Sequence, residues 1–292
     1  MVYEGLMRPA KKPVKLVEPA PEIASTSNET ILGRIAREYQ SYVDRRRVQE
    51  RIVIKNALVK ERIPHPTEEV YCTNFDSSIL TIHFTIFETL TFFNKVFPSL
   101  LELPLPEQQL IFRSYMPTVG MIEGFFRTSR VFGGFDQFMM CSEIMCVNMQ
   151  LPDEWLPPHE GGANRSSLVE SMRLFINDQM GIVVPSFERA KITDTEMHAL
   201  LALILCDSDP TSECSERLLT SLDAIRSEVL EDLRQYYQKE LGLIDYSMRL
   251  GNLMTLCHAI REGTSLFQES FRMQVAIFDL YVKETLIREY FL

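Results

Sequence analysis

The sequence predicts an all-α domain, and three observations lead to this prediction. Apolar residues recur at three- and four-residue spacing over most of the chain, which is the period of an amphipathic helix. No segment shows the sustained apolar–polar alternation of a half-buried strand, and no internal repeat is visible. With 292 residues and 46% hydrophobic content, the chain can bury a sizeable core. We therefore expect packed helices with at most a short β-hairpin.

The N-terminal segment differs in composition from the rest. Residues 1–26 are rich in Pro, Lys and Ala and lack helical periodicity, so we predict a disordered, hinge-like tail followed by one domain over residues 27–292. A small basic cluster runs from Arg8 to Lys15. It is interpreted as a nuclear-import patch, as part of a hinge, or as a solvated tail.

The first half of the domain is predicted to contain three helices. The predicted elements are a helix over residues 27–47, a polar and proline-punctuated connection over residues 61–74, a helix over residues 76–101 and a helix over residues 106–130. Three arginines ending at Arg47 are expected to close the first helix, since cations suit the end of a helix dipole. Pro117 is expected to kink the third helix, and Gly133 to end it.

The second half is also predicted to be mainly helical. Residues 135–149 are expected to form a short hairpin or irregular turn, and residues 152–158 a loop. Further helices are predicted over residues 164–179, 183–190, 193–207, 213–240 and 246–279, the last one with a break near Gly263. Thr193 and Glu196 stand at the spacing of a capping box, in which each side chain bonds the other residue's backbone N–H.

Composition excludes several classes of protein. The net charge of −10 and the pI near 5.1 argue against a duplex-DNA-binding surface in this chain. No apolar run approaches the roughly 18 residues that span a bilayer, and residues 1–5 lack a secretory signature. We therefore expect an intracellular protein that neither binds nucleic acid directly nor enters a membrane. The sequence contains no Ser-His-Asp order and no phosphate-binding glycine loop, so we predict no enzymatic activity.

The six cysteines do not form a metal-site pattern. None belongs to a Cys-x-x-Cys pair, and several stand among apolar residues. We interpret them as buried free thiols. The sequence therefore predicts no metal site and no resident cofactor.

The last seven residues contain an informative pattern. Residues 286–292 read apolar-apolar-Arg-Glu and then three apolar positions, which predicts a short amphipathic helix with one acid, Glu289. A segment at the end of a chain frays unless it is tied down. A helix that docks or detaches, with one well-placed carboxylate, suits a switch.

A second pattern lies upstream, over residues 93–112. It resembles the signature of nuclear hormone receptor ligand-binding domains, in which an aromatic-x-Lys is followed at set spacing by apolar residues, an Asp-Gln pair and two more apolar residues. The residues that match are Lys95, Leu100, Leu103, Gln108, Ile111 and Phe112. Glu107 replaces the usual Asp, which preserves the charge and lengthens the side chain. With the C-terminal pattern, the resemblance covers residues 27–292 and is nearest to the divergent supplementary receptors of nematodes.

The resemblance implies a fold and a domain context. The implied fold is a three-layer antiparallel helical sandwich. Receptors of this family usually carry two zinc modules for DNA binding before this domain, and we find none in this chain. We interpret the chain as a fragment, as an isoform, or as a protein whose natural form lacks that domain.

The resemblance also implies a coregulator groove. Lys95 would lie at the end of helix three and Glu289 on helix twelve, and the two would grip the ends of a Leu-x-x-Leu-Leu helix. Arg113 would supplement Lys95. The residues assigned to this groove are Lys95, Gln108, Arg113, Leu286, Ile287 and Glu289.

A pocket for a small lipophilic ligand is implied as well. Its predicted lining is Ile79, Ile82, His83, Ile86, Met121 and Arg127. Arg127 either binds a ligand carboxylate, which would suit a fatty-acid-like ligand, or ties down the neighbouring loop. His83 is either a ligand contact or a hydrogen-bonded core histidine. The 14 methionines would make such a cavity adaptable or fill it completely.

The predicted function is that of a transcription regulator, located in the nucleus or shared with the cytoplasm. The C-terminal helix would complete the groove in response to a ligand or constitutively. The helix over residues 246–262 has more apolar positions than one core stripe explains, so it either forms a homo- or heterodimer interface or is buried within the domain. The alternatives are a helical lipid carrier and a receptor without a DNA-binding domain that acts by dimerisation.

Overall fold

The computed structural model describes residues 29–55, 61–156, 164–206, 215–280 and 283–291. The helices of these residues are α1 (Ile31–Lys55), α2 (Phe75–Val96), α3 (Leu105–Phe132), α4 (Pro152–Trp155), α5 (Arg165–Ala190), α6 (Asp194–Cys206), α7 (Glu216–Gln235), α8 (Ser247–Phe278) and α9 (Thr285–Phe291). The strands are β1 (Glu61–Ile63), β2 (Val70–Cys72), β3 (Phe138–Met140) and β4 (Met145–Asn148). The predicted tail over residues 1–26 lies outside the described part of the chain.

The predicted helical class is confirmed, and the helices pack in layers. Helix α1 packs along α2, α5 packs along α8, and α3 with α6 lies between these pairs. Helix α6 is apolar on all sides, and every residue from Ala199 to Cys206 is buried. A helix that is apolar all round belongs in the middle of a domain, so its sequence explains its central position.

The small sheet is larger than the predicted hairpin. Strands β3 and β4 form the expected antiparallel hairpin, but β1 and β2 form a second one within the segment predicted as an irregular connection. Parallel pairing of β2 with β4 joins the hairpins in the order β1-β2-β4-β3. Strands of three or four residues are too short to show alternation in the sequence, which is why this prediction failed.

Helix lengths also differ from the predictions. Helix α1 continues past Arg47 to Lys55, because Arg46 is buried and holds the helix against α3. Helix α2 ends at Val96, and a 3-10 turn over Pro98–Glu102 follows, since proline lacks the N–H that would continue the helix. Helix α3 ends as predicted at Gly133, which adopts φ 71°.

Two predicted helix breaks do not occur. Helix α5 is continuous from Arg165 to Ala190, although two helices were predicted there. Helix α8 is continuous through Gly263. The reason is packing between these helices. A Cβ atom at Gly263 would lie 2.7 Å from Cγ2 of Val183 on α5, so glycine serves here for close helix approach rather than for a break.

The predicted capping box at α6 is confirmed. The carboxylate of Glu196 accepts the backbone N–H of Thr193 at 2.9 Å, and the Thr193 hydroxyl accepts the backbone N–H of Glu196 at 3.3 Å. Glu196 also receives two hydrogen bonds of 2.6 Å from Arg249 on α8. One carboxylate therefore caps α6 and connects it to α8.

Two glycines of α8 provide a matched test of this packing. Gly263→Ala is expected to destabilise the fold by about 1–3 kcal/mol, because the new methyl group overlaps the branched side chain of Val183. Gly251→Ala has no atom within 4 Å of its new Cβ, and it is expected to stabilise by about 0.5–1 kcal/mol through helix propensity. Urea unfolding of both variants measures the difference. Equal effects would contradict the close packing of α5 on α8.

Candidate functional site

The C-terminal helix α9 is docked on the body of the domain. Ile287 is fully buried and Phe291 is 7% exposed. The Phe291 ring lies 5.6 Å from the ring of Phe267 and 5.5 Å from that of Phe271, both on α8. The ring of Tyr290 meets that of Phe112 on α3 edge-on at 5.4 Å. Apolar and aromatic contacts therefore hold α9 across α3 and α8.

The acid of α9 has a partner on α3. A carboxylate oxygen of Glu289 lies 2.7 Å from a guanidinium nitrogen of Arg113, and both side chains are about half exposed, at 47% and 48%. Exposed ion pairs contribute at most about 1 kcal/mol. Burial of a single large apolar side chain contributes about 1.5–3 kcal/mol. Docking of α9 therefore depends on Ile287 and Phe291 far more than on this ion pair.

Lys95 lies on the last turn of α2. Its ammonium nitrogen is 3.4 Å from a carboxylate oxygen of Glu38 on α1, and its side chain is 51% exposed. Gln108 donates its side-chain amide to the carbonyl groups of Leu101 and Leu103 at 2.9 and 2.7 Å. Gln108 thus shapes the turn between α2 and α3, while Lys95 remains on the surface.

Two rows of exposed residues, called the exposed stripes, end at Lys95 on α2 and at Arg113 on α3. On α2, Phe87, Thr91 and Lys95 recur every four residues, and all three are exposed. On α3, the exposed residues Leu105, Gln109 and Arg113 have the same spacing. Residues four apart share one helix face. Phe87 and Leu105 are 59% and 64% exposed, which is unusual for large apolar side chains.

These two apolar residues were not among the predicted site residues. Counting back from Lys95 and Arg113 in steps of four would have found Phe87 and Leu105. The sequence does not show that they are exposed, because Phe87 stands in a stretch that is apolar on several sides. Leu286 and Ile287 from the prediction lie on α9, half-buried and buried respectively. The coregulator role of all these residues remains a prediction.

The predicted pocket residues lie mostly in the packed interior. Ile79, Ile86 and Met121 are buried, and Ile82 is half-buried. The amide nitrogen of Gln179 on α5 lies 3.3 Å from the sulfur of Met121. The same amide nitrogen lies 3.4 Å from the carbonyl oxygen of Gly263 on α8, so Gln179 is a direct neighbour of both Met121 and α8.

His83 faces the segment that leads into α9. Its Nε2 atom lies 3.3 Å from a carboxylate oxygen of Glu284, and each side chain is 29% exposed. This contact connects α2 to the residue that precedes α9. The ligand-binding role of His83 was one of two predicted possibilities, and it remains a prediction.

Arg127 binds the turn between β3 and β4. Its Nε donates to the carbonyl of Ser142 at 3.1 Å, and a terminal nitrogen lies 2.6 Å from the carboxylate of Glu143. Another terminal nitrogen donates to the backbone carbonyl of Glu143. Of the two predicted roles, these contacts are those of a residue that ties down the loop. Binding of a ligand carboxylate by Arg127 remains a prediction.

A buried charge network continues from this turn into the core. Arg46 on α1 donates to the hydroxyl of Tyr42 at 2.6 Å and to the carboxylate of Glu123 on α3 at 2.7 Å. Glu50 on α1 accepts the hydroxyl of Ser142 at 3.0 Å and the backbone N–H of Ile144 at 2.9 Å. The network therefore joins α1, α3 and the β3–β4 turn.

Sequence reasoning missed this network. Arg46 was interpreted as one of three cations that close α1, yet it is 2% exposed. Glu50, four residues further on, is 1% exposed and lies on the same side of the helix. An arginine and a glutamate at this spacing usually form a surface pair, so the pattern alone does not reveal burial.

Around Glu143 the negative charges of carboxylates outnumber the positive charges of guanidinium groups. Burial raises the pKa of Glu143 to about 7, while Arg127 and Arg46 act in the opposite direction. Nearby carboxylates of Glu123 and Glu50 raise this pKa further. Three buried carboxylates therefore face one buried and one partly buried guanidinium group, and this excess of negative charge favours the protonated form of Glu143.

Other chemistry is not apparent in the described residues. Among them, no group of His, Cys, Asp and Glu side chains is arranged to hold a metal ion. Within the same part of the chain, no helix combines the length and the apolar character needed to cross a membrane. What stands out instead is a docked terminal helix beside two exposed stripes that end in charged residues.

This arrangement is that of a ligand-binding domain with a terminal docking helix. The family model for the ligand-binding domain of nuclear hormone receptors matches residues 63–274. The chain therefore belongs to this family, which is generally non-enzymatic and typically binds coregulators and dimerises. The predicted resemblance is confirmed.

Individual relatives agree with this assignment. The nuclear hormone receptor family member nhr-28 of Caenorhabditis elegans is 24% identical over 212 residues, which cover 65% of this chain and 44% of that protein. Its namesake in Caenorhabditis briggsae is 25% identical over 209 residues, with the same two coverages. This chain thus spans less than half the length of these relatives. The Ultraspiracle ligand binding domain from Drosophila melanogaster shares the fold, with a TM-score of 0.53 and 14% identity over 89% of this chain and 96% of that one.

The raised pKa of Glu143 predicts a pH dependence. The unfolded carboxyl ionises near its usual pKa, whereas the folded one keeps its proton to about pH 7. Stability from Glu143 is therefore full below the unfolded pKa and is lost as pH rises through 7, by up to about 3 kcal/mol. Glu143→Gln cannot ionise and is expected to lose this component. Urea unfolding from pH 5 to 8 compares the two proteins, and parallel pH profiles would contradict the raised pKa.

The contacts of α9 predict which side chain holds it. Ile287→Ala removes a fully buried side chain and is expected to weaken docking by about 2–5 kcal/mol. Glu289→Ala removes an exposed ion pair and is expected to cost at most about 1 kcal/mol. Hydrogen exchange of residues 285–291 measures both effects. Faster exchange in Glu289→Ala than in Ile287→Ala would show that the ion pair holds the helix.

Proposed function

We propose that this domain regulates transcription by recruiting coregulator helices of the Leu-x-x-Leu-Leu type. The groove would run between the exposed stripes of α2 and α3 and be completed by α9. The observation that supports this proposal is the joint presence of exposed Phe87 and Leu105, Lys95 at one helix end, and a docked α9 that presents Glu289. Exposed apolar residues that are rimmed by charges are typical of a docking surface.

The charges suit the two ends of a partner helix. A helix leaves free N–H groups at its N-terminus and free carbonyl groups at its C-terminus. In this proposal Glu289 accepts from the first and Lys95 donates to the second, each with a charge-assisted hydrogen bond of about 1.5–3 kcal/mol. Both residues now have intramolecular partners, Arg113 and Glu38. Exchange of these exposed pairs for the partner helix costs little, since exposed pairs contribute little.

We propose that α9 docks without a ligand. The support for this is the burial of Ile287 and Phe291 and the ring contacts that α9 makes with α3 and α8. A groove that is complete without ligand would recruit partners constitutively. The alternative within this function is a small lipophilic, fatty-acid-like ligand that binds the docked state more tightly and shifts the population of α9.

We further propose that α8 provides a dimer interface and that the protein acts in the nucleus. On α8, Leu253, Cys257 and Ile260 are buried within the domain, whereas Met248 and Met254 are 78% and 42% exposed. The apolar face of α8 is thus only half used by the core, and the other half suits a homo- or heterodimer. The nucleus is the location that follows from the family.

Fluorescence anisotropy with a labelled Leu-x-x-Leu-Leu peptide tests the groove. Lys95→Ala and Glu289→Ala are each expected to weaken peptide binding by about 10- to 100-fold, because each removes one charge-assisted bond. Matched controls are Lys239→Ala, an exposed lysine four residues beyond the end of α7, and Glu170→Ala, an exposed acid on α5. The controls are expected to bind as the unmodified protein does.

The ligand question is decided in the same assay. Binding by protein stripped of lipid with organic solvent supports constitutive docking, and binding restored only by added fatty acid supports the ligand switch. Peptide binding that survives both groove substitutions, or the absence of binding in every condition, would contradict the proposed groove.

A further inference from the structure

Three cysteines lie close together in the small sheet. Cys72 is the last residue of β2, Cys146 is the second residue of β4, and Cys141 stands in the turn between β3 and β4. Strand β2 leads directly into the start of α2, whereas Lys95 lies on the last turn of that helix. The sheet therefore adjoins the opposite end of α2. The proposed groove makes no use of these thiols.

Cys72 and Cys146 are direct neighbours on parallel strands. They are register partners, and the backbone hydrogen bonds from Tyr71 to Ile144 at 2.9 Å and from Thr73 to Cys146 at 2.8 Å hold this register on both sides. Adjacent strands are about 4.8 Å apart, and residues in register project to the same face of the sheet. A disulfide requires Cα atoms about 4.4–6.8 Å apart, so this pair has a suitable separation without backbone movement.

The two thiols also interact with each other. A hydrogen bond with the thiol of Cys72 is the main cause that raises the pKa of Cys146, and burial raises it further. Within this pair, Cys72 is half-buried and Cys146 is buried, so a small oxidant reaches Cys72 before Cys146, whereas the neighbouring Cys141 is exposed. The third thiol, that of Cys141, donates to the carbonyl oxygen of Met145 at 3.4 Å. Cys72 is therefore the entry point of the pair, and Cys146 is its nearest thiol.

We propose that Cys72 and Cys146 are an oxidative modification site that forms a disulfide with hydrogen peroxide. The thiol of Cys72 releases its proton, the thiolate attacks one peroxide oxygen, the O–O bond breaks, and the departing hydroxide takes up the released proton to become water. Cys72 is then a sulfenic acid. The sulfur of Cys146 attacks the Cys72 sulfur, the S–O bond breaks, and hydroxide leaves with the proton of Cys146 as water. Two thiols and one peroxide give one disulfide and two waters.

Oxidation of Cys72 also removes the thiol–thiol hydrogen bond that makes Cys146 harder to ionise. The hydrogen bond that raises the pKa of Cys146 depends on the Cys72 thiol, which the first step consumes. The resulting bond would join β2, which leads into α2, to β4, which follows the turn that carries Glu143 and binds Arg127. A bond between these distant segments restricts the unfolded chain, so the oxidised protein would have the higher melting temperature.

Mass spectrometry after peroxide treatment tests the site. Purified protein is treated with hydrogen peroxide, its remaining thiols are alkylated, and it is digested without reduction. A peptide linked through Cys72 and Cys146 is expected, as is its loss with dithiothreitol. The linked peptide is expected to persist in Cys141→Ser and Cys257→Ser and to be absent from Cys72→Ser and Cys146→Ser. A rise of several degrees in melting temperature is expected only where the linked peptide forms.

Other results would overturn the proposal. These are a Cys72 that proceeds to sulfinic acid while Cys146 remains open to alkylation, and a Cys72 that pairs with Cys141 in the unmodified protein. The unmodified protein and Cys141→Ser both retain Cys72 and Cys146. The linked peptide in these two proteins therefore tests the site even if Cys72→Ser or Cys146→Ser does not fold.

Discussion

The structure depends on the buried ion network of Arg46, Glu123 and Glu143. Arg46 is 2% exposed and Glu123 is 3% exposed, so neither charge has water to stabilise it. Removal of one member of such a network costs about 3–5 kcal/mol, because the charge left behind is buried and uncompensated. Since the three residues belong to α1, α3 and the β3–β4 turn, these elements must assemble together. The network thus holds α1, α3 and the β3–β4 turn together, and these elements support the exposed stripes of α2 and α3.

The C-terminal helix is held in a different way. The contacts of α9 are apolar burial at Ile287 and Phe291, ring contacts, and the exposed ion pair of Glu289 with Arg113. Such a helix is removable without leaving a buried charge behind. The domain thus combines a frame that is joined by buried charges with a terminal helix that is held by apolar contacts and an exposed ion pair. The proposed groove lies where the two parts meet.

Some of these features were predictable from local patterns. Helix α2 was predicted from apolar residues at helical spacing, α3 from Pro106 and Glu107 at its start, and α9 from the pattern around Glu289. The capping box of Thr193 and Glu196 was found because its partners are three residues apart. By contrast, the sheet was underestimated because its strands are three or four residues long. Tyr71 and Cys72 pair with Met145 and Cys146, and no local pattern shows partners so distant in sequence.

The sequence by itself determined the helical class and the family, since both depend on local spacing, and the same spacing singled out Lys95, Arg113 and Glu289, the charges of the proposed groove. Only the tertiary structure decided which charges are buried and which partners they have. Arg46 and Arg37 both look like surface arginines of one helix, yet the first lies in the core and the second is exposed. Likewise the sequence does not show that Arg127 contacts the carboxylate of Glu143 on the β3–β4 turn. Burial is set by elements that are distant in sequence, so it emerges only when they pack.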